Sequence, residues 1–274
     1  MIKLWTIIVT ILALFITGCK SSTQEGITHA TRKQLLLVPA DTINQQSALA
    51  YRKEIINAYH AHALNTGIYA QRVLAITKRL ANQVGVFRPD ATSWKWEVNT
   101  INSHEINAYC MPGGKIIVFT GIIKTLNLTD DELAAIIGHE ISHALREHSR
   151  EKISQQALQQ GAINLIGTLT GSYVKQGMAA LVGKYLLTLP FSRTMETEAD
   201  TMEMELMARA GFNPAAAPNV WRKMAAIQKG KSIPAFMSTH PSDSERIVNL
   251  EKVVPTVQTL YETAIHNNSF SKEI

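Results

Sequence analysis

The chain has 274 residues, enough for one sizeable domain or two small ones. Hydrophobic residues make up 46% of it and charged residues 18%, which suits a packed core and excludes general disorder. The net charge of +5 is modest, and no Lys/Arg block or aromatic–basic interleaving points to nucleic acid.

The chain opens "MIKLWTIIVTILALFITGCK": one Lys near the start, an apolar run from Leu4 to Ile16, then small residues before Cys19. The run is too short for a comfortable transmembrane span and has the layout of a signal peptide, residues 1–18. "ITGC" resembles a bacterial lipobox, which implies that Cys19 is lipidated and becomes the mature N-terminus. The bland alternative is an ordinary signal peptide with an incidental Cys. By resemblance to lipoprotein sorting, Lys20 after the Cys favours the outer membrane, periplasmic face. Residues 19–30 read as a polar tether, 31–262 as a single domain and 263–274 as a flexible tail. With Cys19 acylated, Cys110 has no disulfide partner and is expected as a small buried hydrophobe rather than a metal ligand.

Helical spacing from about 43 to 84 predicts two helices broken near "NTG". "RPD" marks a turn. Strands are expected at "SWKWEVNTI", "EINAYC" and "KIIVFT", the last two joined as a hairpin through "MPGG". "TDDE" has the form of a capping box, Thr129 with Glu132, opening a helix that contains the motif below and could run past Lys152. Residues 161–189 are apolar and Gly-spotted, but Lys175, Gln176 and Lys184 argue against a second membrane span and for core helices or a lid. A helix from Pro190 to Gly211, another in "NPAAAPNVWRKMAAI", a loop at "STHPSDSERI" and a last helix ending near 262 complete the reading. The fold class is therefore α+β, mostly helical, with a small sheet or hairpin.

Within "AAIIGHEISHALREH", His139 and His143 stand four apart on the predicted helix, about 6 Å apart at the backbone and on one face. Two imidazoles can thus meet one cation, while Glu140 lies close enough to hold a water without being a ligand. This is the H-E-x-x-H pattern of zinc peptidases. Catalytic zinc takes three protein ligands and leaves one position open. A third His six after His143 is excluded, since Ser149 stands there. His148 lies too far along the same expected helix and should pack or hydrogen-bond nearby. In "METEADTMEME" a helical projection puts Glu196, Asp200 and Glu203 along one edge of the apolar stripe and turns Glu198 and Glu205 toward solvent. It nominates Glu196 as ligand with Asp200 as its neighbour and leaves Glu203 as a rival.

The blocks "NAYCMPGGKIIVFTGIIKTL", "DELAAIIGHEISHALREH", "FSRTMETEAD" and "STHPSDSERI", in this order, resemble the HtpX, CAAX prenyl protease and BepA/LoiP group of gluzincin metallopeptidases. Lacking the transmembrane helices of the first two branches and a C-terminal repeat domain, the chain looks most like the LoiP-type periplasmic lipoproteins. The resemblance implies a zincin-type domain holding one Zn²⁺ through His139, His143 and Glu196, with Asp200 the Asp of E-x-x-x-D. Glu140 is then the general base for a zinc-activated water. Asn107 and Ala108 match a substrate-binding N-A position on a strand at the cleft edge, to which an extended peptide could add. His240 in "STHP" either packs in a loop or is a removable fourth ligand that plugs the site. Arg246 is either a salt-bridge partner or an oxyanion-stabilising cation, and the resemblance implies the catalytic position in the cleft. His60, His62, His104 and His266 have no partner spacing.

The function so implied is a lipid-anchored zinc endopeptidase acting on misfolded or stalled cell-envelope proteins, in protein quality control. Its partners would be unfolded substrates, the membrane and the outer-membrane assembly machinery. The alternative is a plugged, non-catalytic chaperone or assembly factor on the same fold.

Overall fold

A computed structural model describes residues 19–159, 190–228, 233–241 and 244–270. The expected signal peptide 1–18 and the segment 161–189 lie outside the described residues. A two-residue strand β1 (Cys19–Lys20) pairs antiparallel with β2 (Gln34–Leu35). Helices α1 (Ala40–His60) and α2 (Ile68–Ala81) are the pair expected from helical spacing, with a short strand β3 (Leu64–Asn65) at the break. The "RPD" turn is a single 3₁₀ stretch, Pro89–Ser93.

Strands β4 (Glu97–Ile101), β5 (Ala108–Met111) and β6 (Lys115–Phe119) join β3 in one mixed sheet of order β3-β4-β6-β5. β4 and β6 run parallel, and β5 and β6 form the expected antiparallel hairpin. Its turn needs left-handed backbone at Gly113 (φ 81°) and Gly114 (φ 76°), which glycine adopts without steric cost. β6 is buried throughout and carries the apolar run "IIVF" after Lys115, which pairs with Glu97. β5 is the outer strand, so one of its edges is left for the site.

Helix α3 (Thr120–Thr125) leads to α4 (Asp130–Leu145), capped as expected: Thr129 accepts from the Glu132 N–H and Glu132 accepts from the Thr129 N–H. Beyond it come α5 (His148–Gln159), α6 (Arg193–Arg209), α7 (Ala217–Gln228), α8 (Ala235–Thr239) and α9 (Ser244–Phe270). α4 is buried along nearly its whole length. It packs Ile136, Ile137, Ile141 and Leu145 into one core with Met202, Leu206 and Met207 of α6. These two crossing helices hold most of the site.

Three expectations about chain course are corrected. The helix through His143 does not run past Lys152; it stops at Leu145 and restarts at His148, with Glu147 in left-handed backbone (φ 49°). The break is supported from distant sequence: Arg88 takes the Leu145 carbonyl at 3.1 Å and Gln34 takes that of Arg146, so carbonyls left without a helical partner are satisfied. Residues 20–30 are not a free tether. Thr28 donates to Glu205 at 2.9 Å, and Ser21 and Thr23 accept from the buried Arg146, both at 3.0 Å. The last helix continues past 262 to Phe270, an extension of an already nucleated helix, where a flexible tail was expected.

Candidate metal centre

His139 and His143 project from α4 toward α6, each almost wholly buried. Their Nε2 atoms approach to 3.0 Å. On the far side of His139, Nδ1 faces Asp200 Oδ1 at 3.0 Å and Glu203 Oε2 at 3.2 Å. Carboxylates accept hydrogen bonds, so the ring's hydrogen sits on Nδ1 and Nε2 carries a lone pair. Glu196 lies opposite, Oε2 at 3.4 Å from His139 Nε2 and Oε1 at 3.3 Å from His143 Nε2. Converging lone pairs and a carboxylate repel one another unless a cation lies between them.

Zinc fits that place. Ligand atoms about 2.1 Å from a tetrahedral Zn²⁺ are about 3.4 Å apart, and the separations here, 3.0 to 3.4 Å, reach or fall slightly short of that value. His240 completes the group: its Nδ1 is 3.2 Å from His139 Nε2 and 3.1 Å from Glu196 Oε1. The four residues offer ligand atoms that all lie within 4.8 Å of one another.

Electrostatics agree with the donor chemistry. Burial, the largest influence on His143, holds its pKa well below the ordinary range, so the ring stays neutral. For His139 burial opposes the charged form, but hydrogen bonds accepted by Asp200, Glu196 and Glu203 outweigh it and raise the pKa. The surrounding carboxylates thus favour positive charge at this point, a second proton on His139 or a cation in its place. Burial also works against ionised Glu196, yet His240, Arg246 and the two other histidines keep its pKa well below the usual carboxylate range. Glu140 is pushed up by burial. One of its oxygens accepts from the Cys110 N–H at 3.3 Å. The other, Oε1, is 3.2 Å from His240 Nε2 but finds no hydrogen bond among the described residues. A buried oxygen of this kind, aimed beside the donor cluster, suits a proton acceptor.

Asn107, Ala108, Cys110, Glu140, Phe191 and His240 line one small cleft, so the β5 edge does lie along the site. Cys110 is buried and free, its thiol pushed up by burial, as expected of a small hydrophobe. Asn107 turns its side-chain amide to Glu105 at 2.8 Å and gives its main-chain carbonyl to Phe119.

Other expectations are corrected. Arg246 takes the salt-bridge alternative: Nη1 reaches Glu196 at 2.6 Å, Nη2 reaches Asp200 at 2.6 Å, and the guanidinium stacks on Trp221. Its charge is thus engaged behind the ligand Glu196 rather than offered to a substrate oxyanion. Glu198 and Glu205 are buried, not solvated, because residues 20–35 cover the face of α6 that carries them. His148 does hydrogen-bond nearby, though from a separate helix. Sequence reasoning gave no role to Phe191, whose ring stacks on His143 at 4.0 Å between centroids. Its place just before the acidic helix, after Pro190, was the only signal.

Residues 68–254 match the model of peptidase family M48. The chain is 36% identical over 253 residues to the mitochondrial metalloendopeptidase OMA1 of Schizosaccharomyces pombe, covering 88% of this chain and 69% of that protein. It is 24% identical over 237 residues to the metalloprotease LoiP of Escherichia coli, covering 85% and 90%. It is 30% identical over 174 residues to the beta-barrel assembly-enhancing protease of Yersinia pestis, covering 58% of this chain and only 36% of that protein.

Proposed function

The chain belongs to peptidase family M48 and is a zinc metalloendopeptidase by that membership, and from this premise we propose that it cuts misfolded or stalled cell-envelope proteins from a lipid anchor at Cys19. The observation that supports hydrolysis most strongly is the meeting of two bare imidazole nitrogens and Glu196 beside an unsatisfied oxygen of Glu140. Zinc held by His139, His143 and Glu196 would supply a Lewis acid and lower the pKa of a water at the open position. Glu140 takes that proton on Oε1 and returns it to the leaving amine; its second oxygen is anchored by the Cys110 N–H. Asp200 accepts from His139 Nδ1 and so orients the ring. An extended peptide adds to the free edge of β5 at Asn107 and Ala108, within reach of Glu140.

The envelope location rests on the "ITGC" stretch, and a link to assembly substrates rests on likeness to the beta-barrel assembly-enhancing protease of Yersinia pestis. A mitochondrial setting is named for the fission-yeast relative and carries over no further. One feature favours a second reading, that of a plugged chaperone: His240 sits between the donor cluster and Glu140. Casein digestion by the full chain, with and without a chelator, separates the two. Chelator-sensitive cleavage, lost in Glu140→Gln and raised in His240→Ala, is the expected result. No cleavage by either the unaltered chain or His240→Ala would leave the chaperone reading.

A further inference from the structure

His143 turns Nε2 to the donor cluster, and its Nδ1 lies 2.9 Å from His148 Nδ1. Two ring nitrogens at that distance share one hydrogen. If His143 Nε2 is the ligand atom, its lone pair is committed there, and the hydrogen of the neutral ring is on Nδ1. His143 therefore donates, and His148 Nδ1 accepts. The hydrogen of His148 is then on Nε2, which points at Glu198 Oε2, 3.0 Å away. One assignment of hydrogens satisfies the whole line from Glu198 through His148 to His143.

Glu198 is fixed in turn. Its Oε1 accepts from Arg146 Nη2 at 2.9 Å and from Arg32 Nε at 3.0 Å, and its Oε2 from Arg32 Nη2 at 3.0 Å. Arg32 also holds Glu151 with two bonds, at 2.7 and 2.8 Å. Arg146, fully buried, is held by Ser21 and Thr23 and by the Arg32 carbonyl at 2.9 Å. Besides His148, the groups gripping Glu198 thus belong to, or are held by, the stretch that follows Cys19.

We propose that His148 is a positioning residue of the metal centre, fixing the tautomer and ring plane of His143, and that the strap of residues 20–35 holds it there through Arg32 and Glu198. The inference rests on the metallopeptidase reading above. It makes the strap next to the lipid-anchor position an outer part of the metal centre, so that detaching it loosens a ligand.

The test is zinc affinity of the full chain, stripped of metal and titrated against a chromophoric chelator, with thermal unfolding of the metal-free form followed in parallel. His148→Phe removes the acceptor and should weaken zinc binding about 10- to 100-fold. His148→Asn, whose Oδ1 can stand near the position of Nδ1, should recover most of that loss. Arg32→Met changes a side chain that is 33% exposed. It should lower metal-free stability, because Glu151 and Glu198 lose a cationic partner, yet leave the chain folded under the titration conditions and weaken zinc near the lower end of the same range. Affinities for His148→Phe and Arg32→Met within about twofold of the unaltered chain overturn the proposal, and so does an equal loss in the Phe and Asn variants. Should His148→Phe fail to fold, Arg32→Met decides alone. Failure of the unaltered chain to bind zinc would instead strike the metallopeptidase reading itself, and this inference with it.

Discussion

Glu196 and Glu203 sit about two turns apart on α6 and meet opposite nitrogens of the same imidazole. Glu196 faces Nε2, where the cation belongs, and is held ionised; Glu203 faces Nδ1 and burial pushes its carboxyl up. Their loss should therefore differ. Glu196→Gln, which removes a ligand, is expected to weaken zinc binding more than Glu203→Gln, whose loss of an orienting contact that Asp200 also supplies should cost near the lower end of about 10- to 100-fold. Metal titration of the two variants checks this, and the reverse order would reject the ligand assignment. The sequence carried this pair to a shared helix edge because a helical projection is local. It misjudged Glu198 and Glu205 for the same reason: a projection knows only its own axis. Arg32 and Thr28, more than a hundred residues away in sequence, bury both carboxylates. The role of Arg246 was undecidable until Asp200 and Glu196 were seen on either side of its guanidinium.

Elements whose ends are set by neighbouring residues were legible. Thr129 and Glu132 cap α4 within one turn, and the two glycines of "MPGG" close the β5–β6 hairpin. The break between α4 and α5 was not, since Arg88 and Gln34 support it from outside. Gly121 is an intermediate case, present in a family-like block but without a reason until the packing is known. A Cβ there would stand 2.3 Å from the Glu105 carbonyl oxygen and 2.6 Å from the His104 backbone. The start of α3 therefore presses directly on the segment that delivers β5 to the cleft. Gly121→Ala must move that backbone, and a loss of about 1–3 kcal/mol in urea unfolding is expected. Because the shift reaches Asn107 and Ala108, peptide cleavage should fall more than zinc affinity. Unchanged stability would contradict so close an approach.

At the scale of the molecule, one buried ionic cluster joins the N-terminal strap to α4, α5 and α6: Arg32, Arg146, His148, Glu151 and Glu198. Its pH response follows from Glu198. Burial opposes that carboxylate's charge, but His148, Arg32 and Arg146 outweigh it and bring its pKa from 4.5 down to about 2. Above about pH 4.5 the group is ionised in both folded and unfolded chains, and its ion pairs contribute fully. Between about 4.5 and 2 the unfolded chain binds the proton first, so the contribution, roughly 3 kcal/mol, is lost as pH falls. Many carboxylates titrate in that window, so the comparison with Glu198→Gln isolates this one. In the metal-free form, where zinc release cannot intrude, the unaltered chain should exceed the variant most at pH 6 in urea unfolding. The gap should narrow steadily toward pH 2. A gap that is constant across the range would mean that Glu198 carries no depressed pKa, and that the strap is held by packing and neutral hydrogen bonds instead of by charge.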